Sequence, residues 1–199
     1  MTDQAYGNWQ KYQSKNPLQQ RLIDRFLAQV RAMIAPLPVT SMLDAGCGEG
    51  FVLNMLLERC ATLERAVGVD IDEEALRRGR RLFPNLVFWQ ADIAHLPCPA
   101  NSFDIVIGTE VLEHLHHPAE ALTELCRVSK RYCLFSVPHE PFFRLCNLAR
   151  GKSILRLGND IDHYQNWSRA GFIKFLQGQV DVLDVRLSFP WQVVLGQVR

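Results

Sequence analysis

The sequence predicts a three-layer α/β fold in which a doubly wound, mostly parallel sheet of about seven strands is covered by helices on both faces. Short apolar runs alternate with segments that place apolar residues at helical spacing. The strand-like runs are nearly continuously apolar, which is typical of parallel strands buried on both faces. Right-handed crossovers between such strands give a doubly wound sheet, whose ligands bind at the carboxyl ends of the strands.

The N-terminal half of the chain alternates between helices and strands. Pro17 and Pro36 bound the first helix, and the glycines that follow the first strand separate it from the second helix. Glu73 and Glu74 suit the positive N-terminal end of the third helix. The expected elements are a helix at 18–34, a strand at 39–44, a helix at 51–60, a strand at 66–70, a helix at 73–82 and a strand at 86–89.

The C-terminal half continues this alternation and then breaks after Pro138. The alternation of elements resumes with a helix for which Ser168 is the expected N-cap. Two β-like segments close the chain. The expected elements are a strand at 103–108, a helix at 118–128, a strand at 132–137, a helix at 168–177 and strands at 180–189 and 191–198.

Length, composition and charge exclude several classes of protein. The 199 residues are 48% hydrophobic and carry a net charge of +1, values that fit one globular domain and argue against a dedicated nucleic-acid binder. No apolar run is long enough to span a bilayer, and residues 1–15 lack the features of a secretory signal. The six cysteines form no C-x-x-C pair. We therefore expect a cytoplasmic protein with reduced, buried thiols.

The first strand runs into a glycine loop, residues 43–50, with the sequence LDAGCGEG. Phe51 stands where the dinucleotide fingerprint needs its last glycine, so that fingerprint fails. Asp44 and Glu49 would repel a pyrophosphate but would favour a ligand with an ammonium and a sulfonium. Asp70, at the end of the next strand, suits the two hydroxyls of a ribose. The alternative interpretation is a tight structural turn with an N-capping aspartate.

These motifs resemble the class I S-adenosylmethionine (SAM)-dependent methyltransferases, most closely over residues 39–137. Besides the glycine loop and Asp70, the resemblance rests on QADI at 90–93, SFDIV at 102–106 and EVLEHL at 110–115. The last motif is similar to the subgroup of ubiquinone- and menaquinone-pathway enzymes. The resemblance implies a Rossmann-like methyltransferase fold with an antiparallel last strand. One departure is the sequence Ser-Lys-Arg at 129–131, where the family often has a Pro-Gly turn.

The resemblance also implies SAM as the cofactor and S-adenosylhomocysteine (SAH) as its product. By that resemblance Asp70 binds the ribose, Ile71 packs on the adenine, and Asp92 and Ile93 meet the adenine edge. Glu110 is expected to help bind either the methionine end of SAM or the loop. The expected cofactor-binding residues are Asp44, Gly46, Cys47, Gly48, Asp70, Ile71, Asp92, Ile93 and Glu110. The expected organisation is a single domain, 1–199, with an N-terminal cap and helix at 1–38, the SAM-binding core at 39–137, an insertion or lid at 138–167, and a C-terminal helix and hairpin at 168–199.

His114 is the expected catalytic base, because it follows the fourth strand near the place where the methyl group should point. Glu113 beside it is the second expected catalytic residue. The alternative role for His114 is a local hydrogen bond that shapes the loop. Glu110, Glu113 and His114 resemble part of a divalent-metal site, but three ligands without a fourth do not support one, and we predict no metal.

The acceptor pocket is expected to involve the irregular segment and the N-terminus. His139, His163 and Tyr164 border the irregular segment on the substrate side, and ordinary packing of a lid is the alternative interpretation. In the family an aromatic N-terminal segment folds over the cofactor, which suggests such a role for Tyr12 and its neighbours. A partly disordered tail is the alternative there.

Residues 141–157 form a basic, apolar insertion. They contain four cations, no acid and seven large apolar side chains. This composition is typical of a helix on an anionic membrane surface, of a lid over an anionic, lipid-like substrate, or of an amphipathic lid packed on the domain. A second run of arginines, at 77, 78, 80 and 81, is expected on the solvated face of a helix, where Gly79 is a mild flaw.

The sequence therefore predicts an enzyme that methylates a small organic acceptor, lipid-like or aromatic, with SAM. A non-catalytic methyltransferase-like module that binds a membrane or a protein partner is the alternative from another functional class. Aminopropyl transfer on the same fold is a further enzymatic alternative. The sequence does not identify the acceptor.

Overall fold

The computed structural model describes residues 8–144 and 163–199. The helices are α1 (Asn8–Tyr12), α2 (Pro17–Ile34), α3 (Phe51–Arg59), α4 (Glu73–Leu82), α5 (Pro118–Val128) and α6 (Arg169–Leu176), with a 3-10 turn at Leu112–His114. The strands are β1 (Ser41–Ala45), β2 (Arg65–Asp70), β3 (Val87–Gln90), β4 (Phe103–Thr109), β5 (Ser129–Pro138), β6 (Val180–Ser188) and β7 (Trp191–Val198).

The seven strands form one sheet in the order β3-β2-β1-β4-β5-β7-β6. Strands β1 to β5 pair in parallel, and β7 runs antiparallel between β5 and β6. This confirms the predicted mostly parallel sheet with an antiparallel last strand. The carboxyl ends of β1, β2, β3 and β4 lie at the same edge of the sheet, so the segments that follow them are brought together there.

The sheet is buried on both faces, which explains why its strands appear as continuous apolar runs. Met42 and Leu43 are successive residues of β1 that belong to different apolar clusters, since strand side chains alternate between faces. Helices α2 and α3 cover the Met42 face, where Phe26 is fully buried. Helices α5 and α6 cover the other face.

Helix starts follow the expected capping chemistry. The Asn16 side chain accepts a hydrogen bond from the Leu18 amide at 2.9 Å, directly before Pro17. The Ser168 hydroxyl accepts one from the Gly171 amide at 3.2 Å and caps α6 as predicted. Strand β5 begins at Ser129 and not at the predicted residue 132, because α5 ends at Val128 and passes directly into it.

Several sequence predictions fall on residues outside the described ranges. These include most of the basic insertion, at 145–157, and the first seven residues. Within the two described ranges, no helix has both the length and the apolarity that crossing a bilayer requires. The five cysteines in those ranges are free thiols, and four of them are buried.

Candidate cofactor and active site

The glycine loop after β1 is pinned at the edge of the sheet. The amides of Gly46 and Cys47 donate to the carbonyl of Val69 in β2, at 2.8 and 3.0 Å. The φ angles of the three glycines are positive, 71° at Gly46, 54° at Gly48 and 83° at Gly50. A Cβ at Gly46 would overlap the Val111 side chain. Glycine is therefore required by both conformation and space.

Asp70, at the end of β2, is fixed by the loop on one side and by its own turn on the other. Its Oδ2 accepts a hydrogen bond from the Gly48 amide at 2.7 Å, and its Oδ1 accepts one from the Asp72 amide at 2.9 Å. Because a carboxylate can accept about four hydrogen bonds, capacity for a ligand remains.

A cavity of about 360 Å³ opens at this edge of the sheet. Its walls come from the segments after β1, β2, β3 and β4, as the fold predicts. The lining residues are Gly46, Asp70, Ile71, Ala91, Asp92, Ile93, Glu110, Val111, His114 and Leu115. Ile71 is 70% exposed and presents an apolar surface on the open side. A second cavity, of about 310 Å³, lies between α2 and α3 and contains none of the predicted site residues.

Asp44 is buried below the glycine loop. Neither of its carboxylate oxygens has a hydrogen-bond partner within residues 8–144 and 163–199. Burial and the nearby charge of Asp70 raise the pKa of Asp44 to about 8. A buried carboxylate without a partner is costly, and a cation bound beside it would lower that cost.

Glu49 corrects the prediction that two carboxylates of the loop face the ligand. It is buried and forms an ion pair with Arg78 of α4, with an N–O distance of 2.9 Å. Glu49 does not line the cavity. Arg78 is therefore not part of a solvated face, in contrast to Arg77. Gly79 is also required, because a Cβ there would lie 2.7 Å from the Glu49 carbonyl oxygen.

Glu110 lies directly after β4, with a φ angle of 57°. Its carboxylate accepts hydrogen bonds from Lys11 Nζ and, at 2.6 Å, from Trp191 Nε1. Tyr12 stacks on Phe51 at the start of α3, with 4.7 Å between the ring centroids. The N-terminal segment thus reaches the cofactor side of the site. The sequence assigned Lys11 no partner, since residues 99 positions apart leave no local signal.

Glu113, His114 and His163 form a second cluster, and their ligating atoms all lie within 4.8 Å of one another. Glu113 is buried, and neither of its carboxylate oxygens has a hydrogen-bond partner in the described ranges. Burial and the charge of Glu110 raise its pKa well above the usual value. His114 lines the cavity, and the centroid of its ring lies 4.9 Å from the centroid of the His163 ring. The structure therefore joins Glu113 and His114 with His163, whereas Glu110 pairs with Lys11.

The main chain brings His163 to this cluster. The amides of Tyr164 and Gln165 both donate to the carbonyl of Glu113, at 2.9 and 3.1 Å. The sequence indicated His114 and His163 separately, but nothing in their spacing predicted that they meet. The cluster is the set of described residues best suited to a proton relay or to a divalent cation.

Eight of the predicted site residues do not line the cavity, namely Tyr12, Asp44, Cys47, Gly48, Glu113, His139, His163 and Tyr164. The Cys47 thiol is directed beneath the loop, close to Gly68. Tyr164 is 53% exposed and packs on His116, and His139 packs beside Phe142. Tyr12 packs on Phe51, and burial together with the charges of Glu110 and Asp44 raises its pKa.

Comparison with known proteins identifies related domains. Residues 43–136 match the family model described as a methyltransferase domain. A Mycobacterium tuberculosis protein named "Probable S-adenosylmethionine-dependent methyltransferase" is 36% identical over 87 residues, which cover 44% of this chain and 31% of that protein. The chain spans about half or less of the length of the curated relatives that it matches.

Solved structures extend the similarity to nearly the whole chain. A Pyrococcus horikoshii protein superposes with a TM-score of 0.72 at 16% identity and covers 96% of each chain. Magnesium protoporphyrin IX methyltransferase of Synechocystis, solved with bound SAH, has a TM-score of 0.68 at 20% identity, covering 98% of this chain and 91% of its own. Residues 43–136 are therefore related to the methyltransferase domain family, and the chain has the fold of the class I SAM-dependent methyltransferases, as the sequence indicated.

Proposed function

We propose that this chain binds SAM in the cavity at the carboxyl ends of β1 to β4 and transfers its methyl group to a small organic acceptor. The observation that carries the proposal is that Asp70 and His114 line the same cavity of about 360 Å³. A nucleoside bound at Asp70 would therefore have the His114 imidazole, a titratable group, in the same cavity. The related domains and the SAH-bound structural neighbour support the choice of cofactor.

The cofactor position follows from the lining residues. Asp70 accepts the ribose hydroxyls, and the adenine lies between Ile71 and Ile93 with its edge towards Asp92. The methionine end then extends past Gly46 towards Asp44. Asp44 is buried without a hydrogen-bond partner among the described residues, and the ammonium group would supply a counter-charge, which is the main electrostatic reason to prefer this orientation.

The transfer itself needs little from the protein beyond alignment, since the sulfonium loses its charge as the bond breaks. An acceptor hydroxyl must also lose a proton, and His114 accepts it. The acceptor oxygen forms a bond to the methyl carbon, the carbon–sulfur bond breaks, and its electron pair stays on sulfur to give SAH. Glu113 and His163, whose ligating atoms lie within 4.8 Å of that of His114, help to orient its imidazole.

The same three residues also suit a divalent cation. A carboxylate and two imidazoles are a common ligand set, and the Glu113 carboxylate has no hydrogen-bond partner in the part of the chain that the structure describes, which favours a cation. A cation bound there would lower the pKa of an acceptor hydroxyl. Activity that survives EDTA would assign the proton transfer to His114 alone, and activity that EDTA abolishes and Mn²⁺ restores would assign it to the ion.

The acceptor side of the cavity favours an apolar or aromatic substrate. Val111 and Leu115 line the cavity beside His114, and the ring of Phe143 stacks on His163 with 5.4 Å between centroids.

We also propose that the basic segment 141–157 contacts an anionic membrane surface. Sedimentation with phosphatidylserine vesicles tests it, and a protein that stays in the supernatant would contradict it.

Isothermal titration with SAH tests the cofactor site. We expect binding by the wild-type protein and a loss of about 10- to 100-fold for Asp70→Ala, because charge-assisted hydrogen bonds to the ribose disappear. Asp24→Ala, an exposed position on α2, is the matched control and should bind normally. Absence of SAH binding by the wild-type protein would refute the proposal.

A further inference from the structure

Strand β6 is the last strand at one end of the sheet, and no strand within residues 8–144 and 163–199 pairs with its outer side. Every second residue of a strand directs its backbone N–H and C=O groups towards such a free side. The strand at the opposite end of the sheet, β3, has four residues, whereas β6 has nine. Because a short edge strand offers little backbone to pair with, β6 is the edge better suited to binding another strand.

Three large apolar side chains are exposed along this edge. Leu183 is 51% exposed, Leu187 is 43% exposed and Phe189, which follows the strand, is 45% exposed. The register with β7 shifts between Val182 and Asp184, so Leu183 has no partner residue on β7. Apolar side chains exposed together along a free strand favour burial against another apolar surface.

Two opposite charges alternate with these apolar residues. The Asp184 carboxylate accepts a hydrogen bond from Arg186 Nε at 2.8 Å, and Arg186 also donates to Gln29 of α2 at 3.2 Å. Both side chains therefore lie on the α2 face of the sheet, and both are partly exposed. Val185, between them, packs against the apolar cluster of the other face. The edge thus has an acid and a base on either side of one central apolar residue.

This pattern is self-complementary about Val185. Two β6 strands can pair antiparallel around a twofold axis that passes through Val185 perpendicular to the sheet. Asp184 of one copy then lies opposite Arg186 of the second copy, and Leu183 lies opposite Leu187. An axis at Asp184 or at Arg186 would instead place two like charges opposite each other, which destabilises a strand pair. Charge pairing and apolar pairing therefore select the same register.

We propose that a second copy of this chain occupies the free edge of β6 and that the two copies form a twofold dimer with one continuous sheet. The strands of the two copies run in opposite directions, so their cavities open at opposite edges of that sheet. The cavity lining comes from segments other than β6, and the dimer leaves both cavities open. A contact of about five residues from each copy buries less than the standard interface of about 800 Å² per partner, so we expect a dissociation constant of about 1–100 µM.

Sedimentation equilibrium over a concentration series of about 1–500 µM tests the dimer and its register. The samples are the wild-type protein, Asp184→Arg, Arg186→Asp, the variant with both substitutions, and an equimolar mixture of the two single variants. Arg81→Asp is the matched control, because it reverses an exposed charge on α4, which packs on β3 at the other end of the sheet.

Each single variant would place like charges opposite each other twice in the dimer, so we expect its dimer to weaken by about 10- to 100-fold. The mixture should recover the dimer, because a chain with arginine at both positions then pairs with a chain that has aspartate at both. The doubly substituted variant should recover it as well, and Arg81→Asp should match the wild type. Recovery in the mixture also shows that both single variants are folded, although neither retains the ion pair within its own chain.

A wild-type protein that stays monomeric at the highest concentration would overturn the inference. A wild-type dimer that Arg186→Asp leaves unchanged would overturn it too, because the copies would then meet at another surface. A mixture no more associated than the single variants would contradict the register on which the inference rests. None of these measurements involves SAH, so they are independent of the proposed function.

Discussion

Replacing Asp44 with asparagine should remove part of the pH dependence of stability and should weaken cofactor binding. Asp44 is buried without a hydrogen-bond partner in the described ranges, and burial together with Asp70 raises its pKa to about 8. The folded protein therefore favours the protonated form. The stability that this proton contributes is complete below the ordinary pKa of an aspartate and is lost as the pH rises through the folded value.

The magnitude follows from the number of protons bound. Between its ordinary pKa of 3.8 and about 8, the folded state holds one more proton at Asp44 than the unfolded chain. The free energy of unfolding then falls by about 1.4 kcal/mol for each pH unit. From about pH 5.5 to about pH 7.5 the loss sums to about 2.7 kcal/mol. Asparagine does not titrate, so Asp44→Asn removes this part of the pH dependence.

Urea denaturation of both proteins at several pH values measures the effect. As the pH rises, the unfolding free energy of Asp44→Asn should increase relative to that of the wild type. Any constant cost of burying the amide cancels in that slope. SAH affinity should fall about 10- to 100-fold in the same variant, because the ammonium loses its carboxylate. A difference in stability that is flat with pH, or undiminished SAH binding, would refute the reasoning.

Two further predictions concern the contact between α4 and the glycine loop. Gly79→Ala should destabilise the protein by about 1–3 kcal/mol despite the better helix propensity of alanine, since the new Cβ would lie 2.7 Å from the Glu49 carbonyl oxygen. A stabilised variant in thermal denaturation would contradict this packing. Glu49→Gln should lower stability by about 1–3 kcal/mol through the loss of charge opposite Arg78 and should leave SAH affinity unchanged. Calorimetry that shows weaker SAH binding would place Glu49 at the ligand instead.

The fold was predictable because each element carries a local signal. Continuous apolar runs indicated strands covered on both faces, and caps such as Ser168 marked the ends of helices. Helix α4 begins and ends at the predicted residues. The start of β5 was not predictable, because the polar side chains at 129–131 suggest a turn, whereas the pairing of Ser129 with Phe103 extends the strand.

The candidate site was predictable where it depends on the strand ends, and less so where it depends on distant contacts. Parallel strands bring Gly46, Asp70 and Asp92 to one edge by topology alone. By contrast, the pairing of Lys11 with Glu110 depends on the path of α1 over the sheet. A sequence pattern records residue types at fixed spacing, and it carries no such information about tertiary approach.

Two buried acids without hydrogen-bond partners in the described ranges, Asp44 and Glu113, mark the two ends of the candidate site. In the proposed complex Asp44 lies near the methionine end of SAM, and Glu113 is adjacent to His114. Each raises the free energy of the unliganded protein, because each must remain desolvated without a counter-charge in the described ranges. An ammonium at Asp44 lowers that cost at one end, and a proton or a cation shared with the two imidazoles lowers it at the other. Ligands that complete the site should therefore stabilise the fold, and the binding free energy that they release is available to align the sulfonium with the acceptor.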